Sequence, residues 1–409
     1  MKKQHYSEIK GNNKGFFLML SVLTLLLGFG LYSALTMEHM GHWITGMNNQ
    51  VVWGLPHVFA IFLIVSASGA LNVASIGTVF GRSIYKPLSR LSGLLALALL
   101  MGGLTILVLD LGRPDRLIVA MTTYNFKSIF AWNIFLYVGF ILIVAVYLWV
   151  YMERRMNRYA PAVGLVAFIW RLILTTGTGS IFGFLVAREA FNSALMAPLF
   201  IALSFAIGLA LFNLVLLTAF NTDQREIGDV ILKRLNRLLA IFIGAVLYFT
   251  LIQHLTNLYM AKNTAIESFI LLDGGIFTQL FWFMQILLGA ILPLIILFSP
   301  LITKPLQRLA LSSVLVLVGG FCQLYVLLIG GQVYPQNLFP GKEVSSSFYD
   351  GVITQYSPSI YEIGLGIGGL SLALLIVLLG LKFLQFLPNS LANKAIDPHH
   401  TSDVKTQSN

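Results

Sequence analysis

The 409-residue chain is 57% hydrophobic and only 10% charged, which excludes a soluble globular domain and requires a polytopic membrane protein. Its net charge of +10 would suit a nucleic-acid partner, but the basic residues lie where membrane topology puts them, so nucleic acid needs no invoking. The lone cysteine, Cys322, excludes an internal disulfide and any iron–sulfur cluster or Cys-x-x-Cys-His haem attachment supplied by this chain alone.

Apolar runs of about 20 residues, the length that spans a bilayer, predict ten transmembrane helices. They lie near residues 16–35, 55–79, 89–109, 128–151, 161–186, 197–220, 237–258, 277–298, 309–330 and 361–387. The first follows a basic leader (Lys2, Lys3, Lys10, Lys14) with no small-residue cleavage site after it, and is read as a retained helix. The N-terminal tail, the even-numbered connections and the C-terminal tail hold 19 of the 26 Lys and Arg residues, against 6 in the odd-numbered connections. By the positive-inside rule both termini are cytoplasmic. The expected fold is all-α: one polytopic domain over residues 1–388, then a polar cytoplasmic tail, 389–409, expected to be disordered.

This topology assigns chemistry to faces. Helix 3 runs outward into Asp110-Leu111-Gly112-Arg113-Pro114-Asp115-Arg116, four charges in seven residues of a charge-poor chain. Gly and Pro there make a helix stop, but charges beside an apolar core cost a few kcal/mol each unless paired, and such groups mark functional sites. Helix 2 starts at Pro56-His57 on the same side, and helix 4 follows Tyr124-Asn125-Phe126-Lys127-Ser128. An imidazole, a carboxylate and phenol or amide groups thus share one depth, where a ligand entering from the bilayer can exchange protons.

Along helix 2, Ser68, Asn72 and Ser75 fall on His57's side at 100° per residue, as a packing stripe or as half of a proton path. Arg171, inside helix 5, either snorkels to the inner interface or pairs with an acid. Arg188-Glu189 ends that helix, neighbouring the Asp110 loop or capping the helix end. His254, with Gln253, ends helix 7; His57 and His254 are the only in-span candidates for haem ligands, and one such pair near helix ends argues against intrinsic haem. Lys86-Pro87-Leu88 before helix 3 and Lys304-Pro305-Leu306 before helix 9 form an internal echo suggestive of duplicated halves. The last outer connection, near 331–360, carries Tyr334, Phe339, Phe348, Tyr349 and Tyr356, and suits a docked subunit.

The run Leu109–Arg116, followed by Asn125-Phe126-Lys127-Ser128 and Trp132, resembles the signature of the NrfD/polysulfide reductase membrane-subunit (PsrC-like) family. The ten-helix length and the phrases Met47–Gly54 and Val344–Phe348 are most similar to its DsrP branch, which accompanies dissimilatory sulfite reductase. The resemblance implies two four-helix bundles, helices 2–5 and 6–9, with flanking helices. It implies a component of a membrane oxidoreductase complex of sulfur metabolism in the bacterial inner membrane, holding no haem or cluster of its own. Such a subunit takes menaquinone or ubiquinone as an exchangeable ligand near the outer face. Its expected partners are a periplasmic ferredoxin-like iron–sulfur subunit, a multihaem cytochrome c and other membrane subunits.

Carried over residue by residue, the family's helix-2 histidine falls on His57 and its motif acid on Asp110, the pair expected to exchange protons with the quinone. Arg113 is expected to hold the loop or the acid, and Tyr124 or Asn125 to donate to the ring. If the polar stripe of helix 2 reaches the cytoplasm, electron transfer drives proton movement. Two competing readings are a structural anchor without a quinone site and a ten-helix ion or solute transporter; against the transporter, the polar groups cluster at the outer face and not midway.

Overall fold

The computed structural model describes residues 5–299, 302–336 and 351–396. Among them, ten helices are long and apolar enough to cross a membrane. These are α1 (Lys14–Met40), α2 (Leu55–Thr78), α3 (Ser83–Leu109), α4 (Ile129–Met152), α5 (Asn157–Gly183), α6 (Met196–Thr222), α7 (Asp229–Tyr259), α8 (Ile276–Phe298), α9 (Pro305–Val333) and α10 (Ile360–Phe383). Several outrun their apolar stretch, α7 most, because a helix keeps its hydrogen bonds past the bilayer edge: Gly228 precedes it and Asp229 complements the positive end of the helix dipole. Side-chain caps fix two starts, Asn13 accepting from the Phe16 amide before α1 and a reciprocal Ser359–Glu362 capping box before α10.

Helices α2, α3, α4 and α5 pack in a ring, each on the next, and α6, α7, α8 and α9 form a second ring. The two four-helix bundles join chiefly where α2 lies on α6, with α5 on α6 and α9 on α2 beside it, while α1 packs on α10 and α10 on α3 and α2. The seam is close because Gly69 and Gly208 face each other; a Cβ on either would land on the other helix's backbone. The Lys-Pro-Leu echo lies at the start of the second helix of one bundle and of the fourth of the other, so it does not occupy corresponding places in the two rings.

Next to residues 5–9, the strand Leu387–Pro388 and the first residues of the tail expected to be disordered, 389–393, are tied down. Leu387–Pro388 pairs antiparallel with Tyr6–Ser7, Leu391 is buried and bridges to Ile227, and Asn393 accepts from the Val230 amide. Arg225 gathers these segments, donating to the carbonyls of Glu8, Leu387 and Pro388. Charge-assisted bonds of that kind outweigh the entropy of ordering a short polar segment. The aromatics Phe339, Phe348 and Tyr349 and the tail from 397 lie outside the described residues.

Candidate functional site

Each of the two first-bundle site residues sits at a helix end, for a local reason. Gly54 and Pro56 start α2, placing His57 in its first turn. Asp110 is the residue after the last turn of α3, and Gly112 then reverses the chain with a φ of 70°. That left-handed conformation favours glycine, and a Cβ there would sit 3.3 Å from the His42 ring. The Asp-Leu-Gly motif is therefore shaped around a second imidazole, brought in by the short helical turn His42–Ile44 after α1.

Asp110 lies between the two rings. His57 Nδ1 is 2.9 Å from Oδ2 and His42 Nε2 is 3.7 Å from Oδ1, while the Asp110 side chain is 1% exposed. Neither carboxylate oxygen has a well-aligned hydrogen bond, so the contacts are chiefly electrostatic. Burial pushes the Asp110 carboxyl up, but the adjacent imidazoles, His42 and then His57, more than reverse this and hold it below the ordinary carboxylate value. Asp110 in turn holds the His42 imidazole above its ordinary value, against the opposing effect of burial.

His57 also lines a cavity of about 420 Å³ enclosed by α2, α3, α4, α5 and the segment after Asp110. Its walls are apolar, with Trp53, Ile61, Leu107, Phe130 and Phe182 among them, and its other polar side chains are Asn133 and Tyr137. Trp53 lies roughly parallel to the His57 ring, centroids 6.3 Å apart. Phe130 and Val138 of α4 line the cavity and are also exposed on the outside of the bundle, so its mouth opens toward lipid. A larger apolar crevice of about 550 Å³, bounded by α1, α6, α9 and α10, has only threonines and Cys322 as polar groups and offers no acid or imidazole.

Below the cavity, Thr178 donates to Asn133, Thr175 to Ser68, and Arg171 to Asn72. The helix-2 stripe thus faces α5. Arg171 neither snorkels nor meets an acid: it is 0% exposed, with Nε and Nη1 lacking partners and its guanidinium 4.8 Å above the Phe168 ring and 5.1 Å from that of Phe205.

Gln332, Arg188 and Glu362 hold this end together, a role the sequence reading gave to none of them. Buried Gln332 accepts from the Val52 and Trp53 amides and donates to the Trp53 carbonyl. Arg188 donates to the carbonyls of Gln332 and Gln50, away from the Asp110 loop. Glu362, 0% exposed, accepts from the Gly46 amide and the Tyr356 hydroxyl, which accepts from Leu55 at the start of α2. The capping-box spacing Ser359-x-x-Glu362 was a usable signal for Glu362; nothing in one sequence reveals that α9 and α10 staple the connection bearing His42 and Trp53.

The structure brings His57 and Asp110 together and does not bring in the other candidates. Arg113 forms a two-pronged ion pair with Asp115, two residues on, with both exposed. Asn125 accepts from the Lys127 amide, and Tyr124 packs edge-on against Phe126 and Phe135 beside a separate cavity of about 230 Å³. His57 and His254 head different bundles, each with Nδ1 on a carboxylate, the latter 2.7 Å from Glu267. Among the described residues no group of three or more His, Cys, Asp or Glu is placed to hold a metal ion.

Residues 43–336 match the family model described as polysulphide reductase, NrfD. The chain is 28% identical over 395 residues to the Hdr-like menaquinol oxidoreductase integral membrane subunit of Archaeoglobus fulgidus, covering 96% of this chain and 99% of that one. It is 25% identical over 432 residues to a selenate reductase subunit of Mesobacillus selenatarsenatis (96% and 98% covered). It is 29% identical over 404 residues to a putative dimethyl sulfoxide reductase membrane subunit of Halobacterium salinarum (89% and 90% covered). The chain belongs to the polysulphide reductase NrfD family and is a multi-pass membrane protein.

Proposed function

We propose that this NrfD-family chain is the quinone-reactive subunit of a membrane redox complex, with the cavity at His57 as its quinone or quinol site. The observation that carries this reading is an imidazole–carboxylate–imidazole set, its acid buried, opening on a lipid-facing apolar cavity. The residues fit such a ligand: His57 is a polar head group, Asn133 and Tyr137 are further partners, and the apolar walls match a ring with an isoprenoid tail. The unaligned oxygens of Asp110 leave hydrogen-bonding capacity for a proton in transit.

A bound quinol supplies two electrons and two protons. The chain's part is to hold the ring and move the protons. With Nδ1 against Asp110, His57 turns Nε2 to the cavity, where it accepts a proton from the ring hydroxyl. Asp110, held ionised, takes the proton relayed through the imidazole and passes it to His42, whose side chain is 28% exposed. Trp53 and Phe130 fix the ring plane. Arg113, Tyr124 and Asn125 shape the connection between α3 and α4 through their own local contacts.

Electrons are exchanged with an iron–sulfur partner on the His57 side, and the excess of Lys and Arg at the other side supports a periplasmic location for it on a bacterial inner membrane with both termini cytoplasmic. The menaquinol in the name of the Archaeoglobus relative favours menaquinone. The sulfur-pathway assignment, with a ferredoxin-like subunit and a multihaem cytochrome c as partners, rests on the phrases shared with the DsrP branch.

The test is quinone-analogue binding to the purified protein by fluorescence quenching. Saturable binding lost in His57→Ala and Asp110→Asn is the expected result. Binding unchanged in both would move the site, and no binding by the parent would leave an anchor.

A further inference from the structure

The second bundle carries a titratable pair that the quinone site does not use. Helix α7 ends with Gln253, His254 and Asn257 on its inner side, and the next helical turn, Thr264–Ser268, swings Glu267 back over them. Glu267 is 1% exposed. Its Oε2 lies 2.7 Å from His254 Nδ1, and its Oε1 accepts from Asn257 Nδ2 at 2.6 Å. Asn263 donates to Asn257 in turn. His254 is the accessible member, with 19% of its side chain exposed.

The pair heads a line of polar side chains running into the bundle. A small cavity of about 40 Å³ has His254, Glu267, Asn257, Gln253, Gln285 and Gln323 in its lining, among apolar side chains such as Met196 and Phe281. A second, of about 20 Å³, continues from it, sharing Thr250, Gln285 and Gln323, and ends among Ile207, Ile243 and Val316. Both exceed the space one water needs, and both offer the polar partners a water requires. From Asn257 to Thr250 the line descends about 10 Å along α7, at 1.5 Å per residue. Helix α8 is π-helical over Leu280–Ile291 and α9 over Val326–Gly330, the stretches that present Gln285 and border these cavities. A π segment costs hydrogen-bond quality and recurs at functional sites.

The charged surroundings are sparse. On the connection after α7, Lys262 and Asp273 are exposed; α8 and α9 present only amides and apolar groups to the pair; and before α6, Arg188 is tied to backbone carbonyls while Glu189 lies beside Tyr334. Among the described residues no Lys or Arg side chain forms an ion pair with Glu267.

The geometry points to a proton-exchange site at His254–Glu267, the mouth of a hydrated half-channel in the second bundle that is separate from the quinone cavity. A proton from outer water binds Nε2 of the imidazole as the proton between Nδ1 and Oε2 shifts to the carboxylate, leaving a neutral imidazole beside a protonated carboxyl; the reverse steps return the proton, and water held by Gln285, Thr250 and Gln323 solvates the pair from its inner side. Only N–H and O–H bonds change, and no electron moves.

Treatment of the purified full-length protein with a hydrophobic carbodiimide, which reacts with protonated buried carboxyls, followed by peptide mapping, tests this directly. Glu267 is expected to be labelled more as pH falls. A protonated-carboxyl infrared band should titrate alongside, vanish in Glu267→Gln and persist in Asp110→Asn. A Glu267 that is never labelled, with the band unchanged in Glu267→Gln, would overturn the proposal and leave a permanently ionised pair that merely staples the connection to α7. Should Glu267→Gln not fold, labelling of the parent decides alone. Quinone-analogue binding is independent of either result.

Discussion

The two bundles share one frame, a ring of four helices with a histidine and a carboxylate at the same end, yet their interiors are opposites. The first encloses about 420 Å³ walled by aromatic and aliphatic side chains, with its polar groups at the top and a buried arginine beneath. The second holds about 40 and 20 Å³, with walls that are apolar except for Thr250, three glutamines, Asn257 and the His254–Glu267 pair, and with no Lys or Arg in the lining. A wide space with one imidazole suits a large amphiphile, and a narrow one dotted with amides suits single waters. Arg171, a fixed positive charge below the first cavity, raises the energy of any cation crossing there, as cationic groups do in pores that exclude protons. The comparison teaches that helix packing sets the ring, and that side-chain volume and charge then decide what each ring admits.

The sharpest way to break this contrast is at the two acids. His57→Ala and Asp110→Asn should cut quinol-driven electron transfer by about 10²–10⁴-fold, the range for losing a positioned proton-transfer group. Glu267→Gln should leave quinone-analogue binding unchanged. Stopped-flow kinetics on the assembled complex and quenching titrations read both; if Glu267→Gln also abolishes binding, the bundles do not act separately.

The next effect is on stability. Asn72→Leu strips Arg171 of its one side-chain hydrogen bond and leaves an uncompensated buried charge, a loss of about 3–5 kcal/mol. Arg171→Met removes charge and need together and should cost less than Asn72→Leu. Thermal unfolding in detergent ranks them, and the reverse order would show that Asn72 is not what supports the arginine.

A smaller change is expected from the staple around the proposed quinone site. Tyr356→Phe removes the acceptor for the Leu55 amide and the donor to Glu362, costing about 1–3 kcal/mol by analogy with other buried groups left unpaired. Because those bonds seat the start of α2, quinone-analogue affinity should fall several-fold while carbodiimide labelling of Glu267 stays unchanged.

The smallest signal is the pH dependence of the His42–Asp110 pair. Asp110 is held below its ordinary value of 3.8, so its contribution to stability is present above that pH and is lost as pH falls through the depressed value. His42 is held above its ordinary value of 6.5, so its contribution is full below that pH and disappears as pH rises through the raised value. The melting-temperature difference between parent and Asp110→Asn should therefore be widest between those limits and shrink on both sides. A difference independent of pH would mean the pair is not ionised.

Some of this was legible without coordinates. Ten spans follow from apolar run length, because unsatisfied backbone groups cannot cross lipid except as helices. His57 and Asp110 could be placed at one depth because spans alternate in direction, so the first turn of α2 and the last of α3 must meet one interface. Arg113, Tyr124 and Asn125 show the limit of that logic: they share the depth, but near neighbours in the chain claim their side chains. Arg171 exposes another limit, since hydropathy cannot tell a snorkelling arginine from one sealed against Phe168, Phe205 and Asn72.

What the sequence alone determined is the number of the helices, the helix start at Pro56 and stop at Gly112, and the placing of His57 and Asp110 in one layer. The tertiary structure alone decided which helices close into each ring, that His42 completes the set around Asp110, that Gln332, Arg188 and Glu362 hold Trp53 against His57, and that Glu267 folds back onto His254. The physical reason is that depth is imposed by the solvent, one residue at a time, whereas azimuth and partnership arise from side chains far apart in the chain competing for the same few buried places.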